Sequence, residues 1–302
     1  MKTLNQKILL SLFISLILTA NIFAQTGEGG EPGAFMKNGF GARASSLGNS
    51  FTAISNDISS IFYNPAGLSS VDKLQVMGMY SNLFGNVDGL NYGNIALSKN
   101  FEFGTMGFGV IYSQVTGIPY VESVTGPTGE TFSDNEMAFL LSYSKKFADN
   151  LQIGVNAKVI RHSIGGFEST GFGFDFGLLT IVSDKFRAGL MIQDAIGAKI
   201  KLNTREDVYI SKFKLGFAYS IIPALLVSPE MVITGNKKVQ FSIGSEYNVY
   251  KNIVKLRGGY NTGQDALSFG AGLHYSQVNL DYSYSMHTDL GSVNKFGFIL
   301  EF

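Results

Sequence analysis

The chain has 302 residues with no Cys and no Trp, 36 Gly, 25 Phe and 14 Tyr, and its 23 Lys and Arg balance its 23 Asp and Glu. Without Cys it can form no disulfide and carry no lipoprotein anchor, and without a basic stripe it is not a nucleic-acid binder. Past residue 24 there is no run of 18 apolar residues, which excludes helical membrane spans.

Residues 1–24 read as a secretory targeting segment. Lys2 and Lys7 supply the positive start, Ile8 to Ala20 the apolar core, and Ile22-Phe23-Ala24 a cleavage site. The core is shorter than the about 20 residues of a membrane span. Loss of Lys2 and Lys7 takes the formal charge from zero to −2.

Residues 25–73 precede the first strand pattern. The first dozen lack core spacing. The remainder mixes small residues with spaced apolar ones, Leu47, Phe51, Ile54, Ile58, Ile61 and Phe62. A short helix is expected around 56–63 with Asn56 as its cap. Pro65 should hold Asn64 extended, and Gly67 permits a turn. A segment too short for a domain but rich in such residues would fit inside a barrel as a plug.

From residue 74 the chain alternates apolar and polar residues with period two, the mark of a strand with unlike faces. The segments are 74–81, 91–98, 103–113, 136–147, 151–163, 170–182, 185–193, 210–220, 224–233, 237–249, 253–261, 266–276, 277–286 and 293–302. In 151–159, Leu151, Ile153, Val155, Ala157 and Val159 alternate with Gln152, Gly154, Asn156 and Lys158. At the end, Phe296, Phe298, Leu300 and Phe302 form one face. So many bulky apolar faces opposite polar ones are satisfied by lipid outside and a polar lumen inside. The predicted fold is all-β: a fourteen-stranded antiparallel transmembrane barrel with an N-terminal plug in its lumen, both chain ends periplasmic. The odd-numbered connections, with 114–135 and 194–209 the longest, are then extracellular and the short even-numbered ones periplasmic, as in outer-membrane barrels of Gram-negative-type bacteria. Gly117, Pro119, Gly126, Pro127 and Gly129 mark 114–135 as a loop. The terminal Phe302 suits a signal for the barrel assembly machinery, and outer-membrane lipid is the expected surround.

The run Gly41-Ala42-Arg43-Ala44-Ser45-Ser46-Leu47-Gly48, followed by Phe51, Asp57 and Asn64-Pro65-Ala66-Gly67-Leu68, resembles the N-terminal signature of the PorV/PorQ-like outer-membrane proteins, relatives of the long-chain fatty acid transporter (FadL) superfamily. The resemblance implies a fourteen-stranded barrel with an Asn-Pro-Ala element in its hatch. It also implies, for some members, a part in type IX secretion with secretion-system components or secreted cargo as partners. The superfamily's transporters instead pass hydrophobic substrates through the plugged lumen. This chain's shorter extracellular loops depart from the transporters' collecting groove. The resemblance tilts the expected function toward a secretion-associated barrel, whereas the residues read alone point to a hydrophobic-solute channel. A channel for small hydrophobic molecules, and a purely structural barrel, are the alternatives.

Arg43 and Asp57 are the charged plug residues, expected to pair with each other or with wall charges Lys158, Lys214, Glu246 and Asp281. Leu47, Phe51, Ile58 and Phe62 are candidate contacts for a hydrophobic ligand. For a cargo binder the surface would be 114–135, with Ile118, Tyr120 and Val121. His162, His274 and His287 lack metal-ligand spacing. Gly39-Phe40-Gly41 and Gly171-Phe172-Gly173 open no strand-to-helix unit, so neither is a dinucleotide loop. No cofactor, metal or enzymatic motif is expected.

Overall fold

In the computed structural model, residues 32–302 are described, apart from 86, 123–125, 205, 236 and 289. The chain clusters into Met1–Ala34 and Phe35–Phe302; the predicted targeting segment lies outside the described residues.

Sixteen strands occur among the described residues: β1 (Gln75–Asn82), β2 (Leu90–Phe101), β3 (Gly104–Glu122), β4 (Gly126–Ala148), β5 (Leu151–Ile164), β6 (Phe167–Ser183), β7 (Phe186–Ile196), β8 (Lys199–Lys201), β9 (Glu206–Val208), β10 (Lys212–Ile222), β11 (Leu225–Thr234), β12 (Gln240–Tyr250), β13 (Val254–Asn261), β14 (Ala266–Tyr275), β15 (Val278–His287) and β16 (Gly291–Glu301). All but β8 and β9 form one closed antiparallel barrel of fourteen strands, in which β7 pairs with β10 and β16 closes on β1. Closure removes the sheet edges that hydrocarbon cannot satisfy.

The period-two reading assigns the faces correctly. Ile153 and Val155 are exposed on the outside of β5, while Gln152, Asn156 and Lys158 are buried inside. Phe296 and Phe298 face out, and Lys295 and Ile299 face in. Exposed Phe101, Phe103, Phe147, Tyr250, Tyr275 and Phe302 lie by the short turns. Phe and Tyr thus form the interfacial girdle in a chain without Trp. Pro229 has no N–H to give the ladder, and the Phe217 carbonyl accepts the Ser228 hydroxyl at 2.9 Å.

Two connections differ from expectation. Residues 114–135 are no loop: β3 and β4 continue past their neighbours as a hairpin. β2 pairs with β3 only as far as Leu90↔Val115, and β5 with β4 only to Asp134↔Ile164. Beyond those points the ribbon edges are unpaired, so Pro119 and Pro127 cost no ladder bonds there. The pairing also shifts register between Val115/Ile118 and Pro119/Val121. Segment 194–209 contains the β8–β9 hairpin. It folds inward: Ala198, Ile200 and Tyr209 are buried, and the inner face of Gly171 lies against the Lys199 backbone.

Inside the barrel, residues 35–73 form short pieces: a 3-10 turn (Ala34–Asn38), helix α1 (Ala42–Ser46), helix α2 (Ser60–Tyr63) and a second 3-10 turn (Pro65–Ser70). Gly41 precedes α1 with φ 79°, a left-handed conformation that disfavours a side chain. The helix in 56–63 is shorter than expected, and Asn56 does not cap it. Asp57 organises the turn instead, accepting from the Ser59 amide at 2.9 Å and from its hydroxyl. The first described turn lies at the lumen end opposite Phe302, where the Lys37 carbonyl accepts from Gln264 in the β13–β14 turn at 2.7 Å.

Candidate functional site

The plug and the wall around it form the candidate site. The wall admits the plug through inward glycines. A Cβ on Gly154 would come within 2.3 Å of the Pro65 and Ala66 backbone, and one on Gly189 within 2.3 Å of the Thr52 carbonyl. Asn64 fixes the plug's shape and its place. Its Oδ1 accepts from the Ala66 amide at 3.2 Å, capping the Pro65–Ser70 turn, and its Nδ2 donates to the carbonyls of Thr52 (2.9 Å) and wall residue Leu178 (3.1 Å).

Buried charges and a buried apolar cluster share the lumen. Arg43 donates to Asp57 at 2.7 Å and grips Glu246 through Nε (3.0 Å) and Nη2 (3.1 Å), a bidentate pair. Burial would lower the Arg43 pKa, but Glu246 and Asp57 outweigh it and hold it above the ordinary value. Glu246 also meets Arg257 at 2.7 Å and Lys255 at 3.7 Å, and Arg257 meets Asp281 at 2.6 Å. A polar cavity of about 180 Å³, lined by Arg43, Asp57, Lys255, Arg257 and Asp281 among others, lies beside this network. Lys158 pairs instead with Asp175 (2.7 Å) and Asp194. Lys295 donates to the Asn38 carbonyl and to Ser45 Oγ (2.9 Å). Glu230 accepts from the plug amides of Phe51 (3.0 Å) and Thr52 (2.9 Å).

Plug residues Phe40, Leu47, Phe51, Ile54, Ile58, Ile61 and Phe62 belong to one buried cluster with wall residues Tyr92, Ile111, Ala138, Leu140 and Ile160. At the end opposite Phe302 the cluster takes in Leu83, Ile200 and Tyr209, with Phe84, Leu90 and Leu202 packed on it. Tyr63 stacks near Phe40 and Phe51, with centroids 5.7 and 5.3 Å away. Burial pushes its phenol pKa above the ordinary value. The hydroxyl donates to Asn49 Oδ1 and accepts from the Phe40 amide, both at 2.8 Å.

Of the predicted charges, the structure thus joins Arg43, Asp57 and Glu246, with Asp281 reached through Arg257. Lys158 belongs to a separate cluster, and Lys214 makes no hydrogen bond or ion pair among the described residues. Leu47, Phe51, Ile58 and Phe62 pack the seated plug rather than lining an open pocket. His162 meets Asp134 at 2.8 Å, His274 bonds Asn279, and His287 bonds the Gln264 carbonyl at 3.2 Å. Among the described residues, no group of three or more His, Asp or Glu could hold a metal ion. Sequence reading passed over Asp175, Asp194, Glu230, Arg257 and Lys295. A signal existed for Asp175, the sole charge among the inward positions of 171–179, where Gly171, Gly173 and Gly177 are its neighbours on that face.

No protein-family model matches the chain, and no curated protein does. Solved structures do resemble it. The Pseudomonas putida toluene transporter TodX matches with TM-score 0.62 and 11% identity, covering 88% of this chain and 99% of that one. A TodX deltaS2S3 mutant monoaromatic hydrocarbon channel matches with TM-score 0.60 and 12% identity over 87% and 98%. A Pseudomonas aeruginosa FadL homologue matches with TM-score 0.58 and 11% identity over 87% and 97%. A share of 88% exceeds what residues 75–302 make up, so the TodX likeness takes in part of the chain before the barrel. The expected secretion-associated function is thereby overturned: the barrels that it resembles at TM-scores near 0.6 include these transporter and channel structures. At these identities the likeness is one of fold. The chain is an outer-membrane β-barrel with the fourteen-stranded fold of the FadL and TodX barrels.

Proposed function

We propose that the protein is a plugged, non-enzymatic channel for small hydrophobic molecules across the outer membrane. The observation that supports it most is the buried apolar cluster that joins Leu83, Ile200 and Tyr209, at the end opposite Phe302, to the plug and the wall beside it. A hydrophobic solute gains about 0.8 kcal/mol per buried CH₂ along such a seam, whereas the buried charges offer it nothing. The seam is closed in this structure by the plug's own side chains, so passage requires them to yield. The names of the matched structures, a toluene transporter and a monoaromatic hydrocarbon channel, agree with a solute of that class.

The test is toluene uptake by cells carrying the protein against cells with an empty vector. Uptake should rise several-fold and fall to background with Ile111→Glu or Ile160→Glu, provided heat-modifiable gel mobility shows that each variant still folds. Uptake equal to background for the native chain, and for a chain lacking the plug, would sink the reading.

We also propose that Phe302 is read by the barrel assembly machinery. Its ring is exposed at the end of β16, the strand that closes on β1, and its amide donates to the Leu74 carbonyl at 2.9 Å. Deleting Phe302 should lower the amount of folded barrel in the outer membrane several-fold without retaining precursor in the cytoplasm. Equal amounts would leave the ring a lipid contact only.

A further inference from the structure

The charges that hold the plug are divided so that plug and wall are each compensated when they part. Arg43 would leave Glu246 but keep Asp57, which lies on the plug with it, 2.7 Å away. Glu246 would lose Arg43 but keep Arg257 at 2.7 Å and Lys255 at 3.7 Å, both on the wall. Two wall charges look like exceptions: Lys295, which donates to the plug's Asn38 carbonyl and Ser45 Oγ, and Glu230. Glu230 is 5% exposed, and Oε2 alone takes both plug amides, Phe51 and Thr52. Withdrawal of the plug would strip it of both donors, a costly state for a buried carboxylate.

Lys214 resolves this for Glu230. It lies on β10, next to the β11 strand that carries Glu230. Gly216 stands opposite Glu230, and Lys214 opposite Val232. The two side chains are therefore diagonal neighbours on the inner face, within reach of a long side chain. Two other wall carboxylates, Asp175 and Asp194, already share Lys158. Seated, the plug leaves Lys214 without an ion pair or hydrogen bond among the described residues.

We propose that Glu230 and Lys214 form a two-position latch: with the plug seated Glu230 holds the Phe51 and Thr52 amides, and with the plug withdrawn it pairs with Lys214. The latch gives Glu230 a partner in the withdrawn state as well, so this part of the lumen has two defined arrangements. It deepens the channel reading and rests on it for its purpose, but it is read on the plug itself.

The chain has no Cys, so Ala53→Cys is a single reporter in the seat formed by Gly189 and Gly216. Its rate of modification by a small, charged methanethiosulfonate, in the full barrel in vesicles, measures withdrawal. Glu230→Gln should raise the rate about tenfold. Lys214→Met should lower it at least threefold, and Lys214→Arg should restore it. A lysine with a merely structural role, touching no plug atom, would leave the rate unchanged or raise it through general loosening; either result for Lys214→Met overturns the latch. Should Ala53→Cys fail to fold, hydrogen exchange of the Phe51 and Thr52 amides in the parent barrel must show the same order among the variants. The labelling needs no solute. A working latch without toluene uptake would sink the channel reading alone, and an indifferent Lys214 with uptake intact would sink the latch alone.

Discussion

Lys158→Met should destabilise the folded barrel by about 3–5 kcal/mol, the range for removing one partner of a buried charge cluster. Lys158 neutralises Asp175 and Asp194 together, and all three side chains are only 1–2% exposed. The cluster holds an irregular turn. Pairing of β6 with β7 jumps from Phe176↔Ile192 to Phe174↔Ile196, and Asp194 adopts φ 55° in the extra residues. Its amide donates to Asp175 Oδ1 at 2.7 Å, and its carbonyl accepts from Ser211 at 2.6 Å. Without the ammonium, two buried carboxylates face each other at the point where the chain turns inward. Urea titration of the barrel in vesicles should show the loss, and proteolysis within 195–210 should become faster. Charge rather than packing is the cause assigned, so Lys158→Met combined with Asp175→Asn and Asp194→Asn should recover most of the stability. A triple variant no better than the single one would refute that assignment.

Gly154→Leu should unseat the plug. A side chain at this inward position meets the backbone of Pro65 and Ala66, which cannot yield as a flexible side chain does. Overpacking of this kind costs about 1–3 kcal/mol. The barrel itself is closed by its own strand pairs, so the strain should fall on the plug. In planar bilayers the variant should show ion conductance where the parent is silent. Phe172→Leu, on the lipid face with the ring 67% exposed, should not. A silent, fully stable Gly154→Leu barrel would mean that the plug is not seated against this wall.

The barrel was legible because lipid and lumen impose opposite demands on alternate residues. The inward set Gln152, Gly154, Asn156 and Lys158 and the outward set Leu151, Ile153 and Val155 can be read without a structure. One step of register would place Lys158 in lipid. The same rule explains the miss at 114–135. Where β3 and β4 outrun their neighbours no buried face exists, so no alternation marks the ribbon, and Gly117, Pro119, Gly126 and Pro127 read as loop. The function first inferred, a part in secretion, came from the family resemblance that the plug signature carries and from loops read as too short for a transporter, and it gave way to the likeness of the whole barrel.

The sequence by itself thus determined the fourteen barrel strands, their faces and a plug with Arg43, Asp57 and Asn64 in it, since these follow from local periodicity and backbone chemistry. Only the tertiary structure decided what those residues meet. Arg43 finds Glu246, the Phe51 and Thr52 amides find Glu230, and Lys158 finds Asp175 and Asp194. Each partner is chosen by the register at which fourteen strands close and by the depth at which the plug settles. Those are global properties of the closed sheet, and no local pattern encodes them.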